Sequence, residues 1–70
     1  MNIQPGDMVR ISHEALLPNY LLGRTAIVAF FRKNGDIRVG VYLGKKKGTS
    51  LMRFRAVDVW KEEVEPISCK

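Results

Sequence analysis

A β-hairpin centred on Asn34 and Gly35 is the feature that most constrains the fold of this chain. An Asn-Gly pair is the strongest short-range signal for a tight hairpin turn, because both residues tolerate the backbone conformations that such turns require. Residues 25–32 before it are rich in β-branched and aromatic side chains, and apolar residues alternate strictly through residues 37–43 after it. This period of two predicts a strand with one buried face and one solvent-facing face.

The remaining segments indicate further short strands separated by turn residues. We predict strands over residues 8–11, 51–55 and 60–64, a long loop over 12–22 that folds back on the strands, an exposed loop over 44–50, and one short helical turn over 56–59. No stretch of ten or more residues keeps a period of 3.6, so a helical fold is the weaker alternative. Five short strands in so small a chain predict an all-β fold, a small five-stranded barrel, closed or half-open, with a long first loop.

The length of 70 residues bounds the domain organisation and the core. We expect a single small β-barrel domain over residues 1–66 and a loose C-terminal tail over residues 67–70. A domain of this size buries only about 60% of the surface of its unfolded chain, so oligomerisation or docking on a partner would add useful burial. The strand edges that such a fold can leave unpaired would suit a partner.

Cysteine usage and hydropathy suggest where the protein resides. Cys69 is the single cysteine, so no internal disulfide can form, which fits a reducing compartment. The longest apolar run, residues 26–31, is far shorter than the roughly 20 residues of a membrane-spanning helix, and the first residues lack the pattern of a signal peptide. We therefore expect a cytoplasmic protein with no membrane span.

Charge is strongly segregated along the chain. Residues 24–55 contain nine basic side chains and one acid, Asp36, which gives nine minus one, or +8. The rest of the chain has three basic and six acidic side chains, or −3, so the formal net charge is +5. Such segregation attracts anionic partners, whereas ordinary surfaces intersperse both signs. The alternative is that these cations only solvate the outer faces of the strands.

Within the basic window we select candidate residues for contact with a nucleic acid or an acidic partner. They are Arg32, Lys33, Arg38, Tyr42, Lys45, Lys46, Lys47, Arg53 and Arg55. Lysines supply mobile point charges, whereas arginines can engage phosphate or carboxylate through two parallel hydrogen bonds, and alternation predicts that Arg53 and Arg55 point the same way.

Aromatic side chains interleave with these cations, as nucleic-acid binding by base stacking requires. Tyr42 is the best candidate for an exposed ring, because it shares the non-aliphatic face of its strand with Arg38. We predict that Phe54, together with at least one of Phe30 and Phe31, belongs to the core instead.

Three segments together resemble a known family of small barrels. A Gly-Asp-x-Val-x-Ile pattern in residues 5–11 leads through a loop to Gly-Arg-x-Ala-x-Val in residues 23–28 and then to residues 37–43. This layout resembles Src-homology-3-like barrels with a KOW-type motif, although Ala26 stands where that motif usually has a second glycine. The resemblance implies a barrel fold, and ribosomal and transcription-factor members of that family use the motif for RNA or protein contact.

Two other groups share the layout, which spans about residues 5–60. Residues 5–10 and 17–25 are similar to the C-terminal barrel of the nitrile hydratase β subunit. The chain also resembles the small peripheral barrels of photosynthetic electron-transfer complexes, whose basic faces meet acidic ferredoxin. Neither of these two groups is a nucleic-acid-binding group.

The residues give no indication of catalysis. His13 is the only histidine and has no evident partner, so a catalytic triad or a histidine-based metal site is not expected, and we predict no enzyme activity, metal or cofactor. The leading hypothesis is a non-enzymatic basic module that binds nucleic acid, RNA over DNA, through a cationic face. The alternative is an accessory subunit or small regulator that docks on an acidic protein surface or larger assembly.

Overall fold

A computed structural model describes residues 3–67, which form one antiparallel sheet of five strands. The strands are β1 (Met8–Ile11), β2 (Thr25–Phe31), β3 (Ile37–Lys45), β4 (Met52–Val59) and β5 (Val64–Pro66). The only helical segments in this part of the chain are two 3₁₀ turns, Asn19–Leu21 and Lys61–Glu63. The prediction of an all-β fold with five strands and a short helical turn before the last one is confirmed.

The sheet is open and does not close into the expected barrel. Its strand order is β4-β3-β2-β1-β5, with β4 and β5 at the two edges. Closure would require β4 to pair with β5, but β5 has only three residues, and these pair with β1 through Val9, Arg10 and Ile11. The last strand is too short to bridge the remaining gap.

The predicted hairpin joins β2 to β3. The Arg32 N–H donates to the Asp36 carbonyl at 2.8 Å, and the Gly35 N–H donates to the Arg32 carbonyl at 3.1 Å. Gly35 has a φ of +94°, and the Asn34 side-chain oxygen accepts the Asp36 N–H at 3.0 Å. The loop thus has three residues, with glycine at the left-handed position that this type of hairpin requires.

Strand β4 runs further than the alternation of residues 51–55 predicts. Residues 56–59 are not a helical turn, because Ala56 lies opposite Gly40, and Val57 and Val59 continue the pairing with β3. Val59 is buried on the core side, which makes extended pairing more favourable than a turn. The helical turn therefore falls at Lys61–Glu63, and the last strand begins at Val64 instead of at residue 60.

The core lies on one face of the sheet and consists of aliphatic side chains. The buried residues are Val9, Ile11, Ala15, Leu21, Ala26, Val28, Ile37, Val39, Val41, Val59 and Val64. Each fully buried valine, leucine or isoleucine contributes on the order of 1.5–3 kcal/mol relative to an exposed one. Ala15 and Leu21 come from the long loop over residues 12–22, so this loop folds back on the sheet as predicted.

The phenylalanines lie outside this core, contrary to prediction. Phe54 is 45% exposed, Phe30 48% and Phe31 49%. Phe54 belongs to the outer face because it lies opposite Tyr42. Simple alternation from Ala26 and Val28 would bury Phe30, but a register shift between Val28 and Phe30 inserts one residue and moves Phe30 to the outer face opposite Arg38.

The C-terminal end of the described chain is held by β1. The Ile67 N–H donates to the Met8 carbonyl at 3.2 Å. The rest of the predicted tail, including Cys69, lies outside the described residues. Within residues 3–67, no helix has the length and apolar character needed to cross a membrane.

Candidate nucleic-acid interface

Two aromatic rings stand side by side on the outer face of the sheet. Tyr42 on β3 and Phe54 on β4 are direct cross-strand partners, with ring centroids 5.6 Å apart and ring planes at 56°. Tilted pairs of this kind are a favourable aromatic arrangement. The prediction that Tyr42 shares a face with Arg38 is confirmed, since both occupy the outer side of β3 between buried valines.

A shallow apolar groove of about 350 Å³ lies beside this aromatic pair. We call it the outer groove, and the side chains that form it come from all strands except β5. They are Met8, Thr25, Ile27, Tyr42, Met52 and Phe54, with Ala26 beneath them. Exposed apolar side chains gathered in one place are uncommon on a small protein without a binding role.

The lysines at the end of the β3–β4 hairpin border the outer groove. Lys45 lies directly opposite Met52, which lines the groove. Lys46 donates its N–H to the Leu51 carbonyl at 2.8 Å, so the loop beyond it closes tightly. Lys45, Lys46 and Lys47 are exposed, and no carboxylate of residues 3–67 forms an ion pair with them.

Thr49 gives this lysine loop a defined shape. Its hydroxyl donates to the Lys46 carbonyl and accepts the Leu51 N–H, at 3.0 Å and 3.1 Å. The Thr49 N–H also donates to the Lys46 carbonyl at 3.0 Å. The backbone that carries the three lysines is thereby held in a defined turn next to the groove.

Arg53 and Arg55 lie on the opposite side of β4 from Phe54. Arg55 is paired with Val41 and Arg53 with Gly44, so both point toward the core side of the sheet, at its exposed edge. The prediction that they point the same way is confirmed. The two arginines and the aromatic pair therefore lie on opposite faces of the edge strand and do not share a surface.

Arg32 and Arg38 are already paired with an acid. The Arg38 guanidinium donates two hydrogen bonds to the Asp58 carboxylate, one of them at 3.3 Å, and Arg32 forms a 3.5 Å ion pair with the same group. The hydrogen bond with Arg38 lowers the pKa of Asp58 and raises the pKa of Arg38. Arg38 also lies 5.8 Å above the Phe30 ring.

The nine residues selected from the sequence therefore form three groups. Tyr42 and the three lysines lie together at the outer groove, Arg53 and Arg55 lie on the other side of β4, and Arg32 and Arg38 share Asp58. Lys33 is exposed at the far end of the β2–β3 hairpin.

Phe54 was not among the site residues predicted from the sequence, although the alternation along its strand does place it on the face opposite Arg53 and Arg55. Knowledge of the β3–β4 register would have matched it with Tyr42. Asp58 lies outside the basic window, so its pairing with two arginines could not be predicted without knowing the β3–β4 register.

The described residues contain no group of three or more His, Cys, Asp or Glu side chains that could hold a metal ion. No protein-family model, curated protein or solved structure matches the chain.

Proposed function

We propose that this protein is a non-enzymatic module that binds single-stranded nucleic acid, RNA in preference to DNA, across its outer sheet face. The observation that carries the proposal is the pair of a half-buried Tyr42 and an exposed Phe54 next to Lys45 and the lysine loop. Proteins that bind single strands combine aromatic stacking surfaces with a cationic path for the phosphates. The resemblance to barrels with a KOW-type motif supports RNA as the preferred strand.

The phosphate contacts in this proposal come from the cations that no acid neutralises. On the outer face beside the aromatic pair, within residues 3–67, these are the three lysines of the loop, Lys45, Lys46 and Lys47. Ion release on binding gives a slope of log affinity against log salt of about −0.7 per contact on single strands. Three contacts would produce a slope of about −2.1.

Titration of a fluorescent single-stranded RNA at several salt concentrations tests this function. We expect binding at low salt with a slope near the value above, and a slope weaker by about 2 in a variant with Lys45, Lys46 and Lys47 all replaced by Gln. Lys33→Gln, which removes a cation at the far end of the molecule, is the control and should change little. No binding at low salt would rule out the proposal.

A second candidate function is docking on an acidic protein surface. The apolar outer groove also favours a contact with another protein. Replacing Tyr42 and Phe54 by Leu separates the two. Leucine keeps apolar area for a protein contact but removes the ring faces on which bases stack. Loss of RNA affinity in this variant favours the nucleic-acid function.

A further inference from the structure

We infer that the outer groove holds one unstacked nucleobase, so that the protein discriminates single strands and extruded bases from continuous duplex. This inference rests on the proposed function and specifies its ligand. It starts from the chemistry of the groove lining, which contains no charged side chain. The polar groups that the lining offers are the hydroxyls of Thr25 and Tyr42.

An uncharged lining selects the neutral part of a nucleotide. A phosphate or a carboxylate would lose its hydration in the groove without gaining a compensating charge, which is costly. A base has flat apolar faces and a polar edge, so it can stack on Tyr42 and Phe54 and direct its edge toward a hydroxyl. Met8 and Met52 add polarizable, adaptable side chains that pack well against aromatic rings.

The bare backbone at Gly40 gives the Phe54 ring its place beside the groove. Gly40 lies on the outer face between Ile27 and Ala56 in the neighbouring strands. A Cβ at Gly40 would lie 3.8 Å from Cβ and Cδ1 of Phe54, so the ring packs directly over this glycine. Gly40 and Ala56 are both small, so little side-chain bulk lies beside the aromatic pair at these two positions.

The charges lie where the sugar–phosphate backbone would leave the groove. Lys45 is opposite Met52 at the rim, and Lys46 and Lys47 follow in the turn. A nucleotide with its base inside would therefore have its phosphate next to ammonium groups. This arrangement of an apolar interior and a cationic rim matches the division of a nucleotide into base and phosphate.

Duplex nucleic acid cannot satisfy this site without breaking a base pair. The faces of paired bases are covered by their neighbours, and extruding one costs a few kcal/mol, except where it is already unpaired. Backbone contacts with the lysines alone remain available to a duplex. Single strands and duplexes with unpaired bases should thus bind more tightly than continuous duplex of equal length.

Fluorescence of 2-aminopurine placed within a short single-stranded RNA tests the inference. We expect its emission to change on binding, and affinity to exceed that for a blunt duplex of the same length by about tenfold or more. Tyr42→Leu or Phe54→Leu should remove both effects. Phe31→Leu is the matched control, because this ring is similarly exposed but does not line the groove.

The possible outcomes distinguish failure of the inferred base binding from failure of the proposed nucleic-acid binding. Salt-dependent binding of single strand and duplex with equal affinity, with unchanged 2-aminopurine emission, overturns the base pocket and leaves the nucleic-acid function standing. Absence of binding to every RNA and DNA probe at low salt overturns both. A duplex preferred over a single strand also overturns the inference.

Discussion

The carboxylate of Glu63 joins the final 3₁₀ turn to Leu16, 47 positions earlier in the chain. Its Oε2 accepts the Leu16 N–H at 2.8 Å, while Oε1 accepts the Trp60 N–H at 2.8 Å. The Glu63 carbonyl also accepts the Ser12 N–H at 2.8 Å. One residue therefore supports the turn that precedes β5 and fastens the loop that covers the core.

Replacing Glu63 by Gln should destabilise the protein by about 1–2 kcal/mol, because an amide has a single accepting oxygen and no charge. For a domain of this size, each kcal/mol corresponds to roughly 4–8 °C in the melting temperature. Thermal unfolding followed by circular dichroism measures the change. Glu62→Gln, on the same turn, is the control, since the Glu62 carboxylate forms no hydrogen bond or ion pair with any residue of 3–67. Equal melting temperatures for both variants would contradict the role of Glu63.

Asp58 should make stability depend on pH in the acid range. Its pKa is lowered in the folded protein, chiefly by the hydrogen bond with Arg38, so its contribution is present above the unfolded pKa of about 4 and is lost as pH falls through the folded pKa. The melting temperatures of the natural protein and Asp58→Asn should therefore differ at neutral pH and converge in acid. A gap that stays constant down to the lowest pH would show that the ion pair contributes no stability.

Removing the Asp58 charge should also strengthen nucleic-acid binding. Arg32 and Arg38 both pair with this carboxylate, and Asp58→Asn frees two guanidinium groups on the outer face. If both then contact phosphates, the salt slope on single strands becomes steeper by about 1.4. Glu62→Gln adds the same net charge elsewhere and controls for nonspecific attraction. An equal gain in both variants would place Arg32 and Arg38 outside the interface.

Gly23 should not accept a side chain. Its φ is +74°, and a Cβ there would lie 2.6 Å from Nε2 of His13. We expect Gly23→Ala to cost at least about 1–2 kcal/mol from backbone strain alone. Combining it with His13→Ala relieves the clash but not the strain, and chemical denaturation of the single and double variants separates the two. Gly40→Ala, whose Cβ would make only an ordinary contact, is the control, and a comparable loss there would contradict this account.

The sequence predicted the strands best where alternation was unbroken and a specific turn fixed the connection. Residues 37–43 and the Asn34–Gly35 hairpin met both conditions, and the structure follows them closely. Strand β4 was predicted too short because residues 56–59 were read as a turn, although Val57, Asp58 and Val59 continue an alternation of apolar and polar residues. The opposite residues of β3 explain why they stay extended.

The candidate site was harder to predict because it depends on register. One inserted residue in β2 decides that Phe30 faces outward, and the opposing position of β3 decides that Arg38 meets Asp58. Alternation along β4 separates Arg55 from Phe54 although they are neighbours in sequence. A count of charges in a window cannot resolve which side of a sheet each charge occupies.

The edge position of β4 has a consequence for the behaviour of the protein at high concentration. An edge strand of eight residues offers unpaired backbone groups to any other extended chain, which is a common starting point for fibril growth. Arg53 and Arg55 place like charges along that border, and a second copy approaching it meets electrostatic repulsion. We therefore expect these two arginines to oppose self-assembly through this edge, and we expect the repulsion to weaken as added salt screens it.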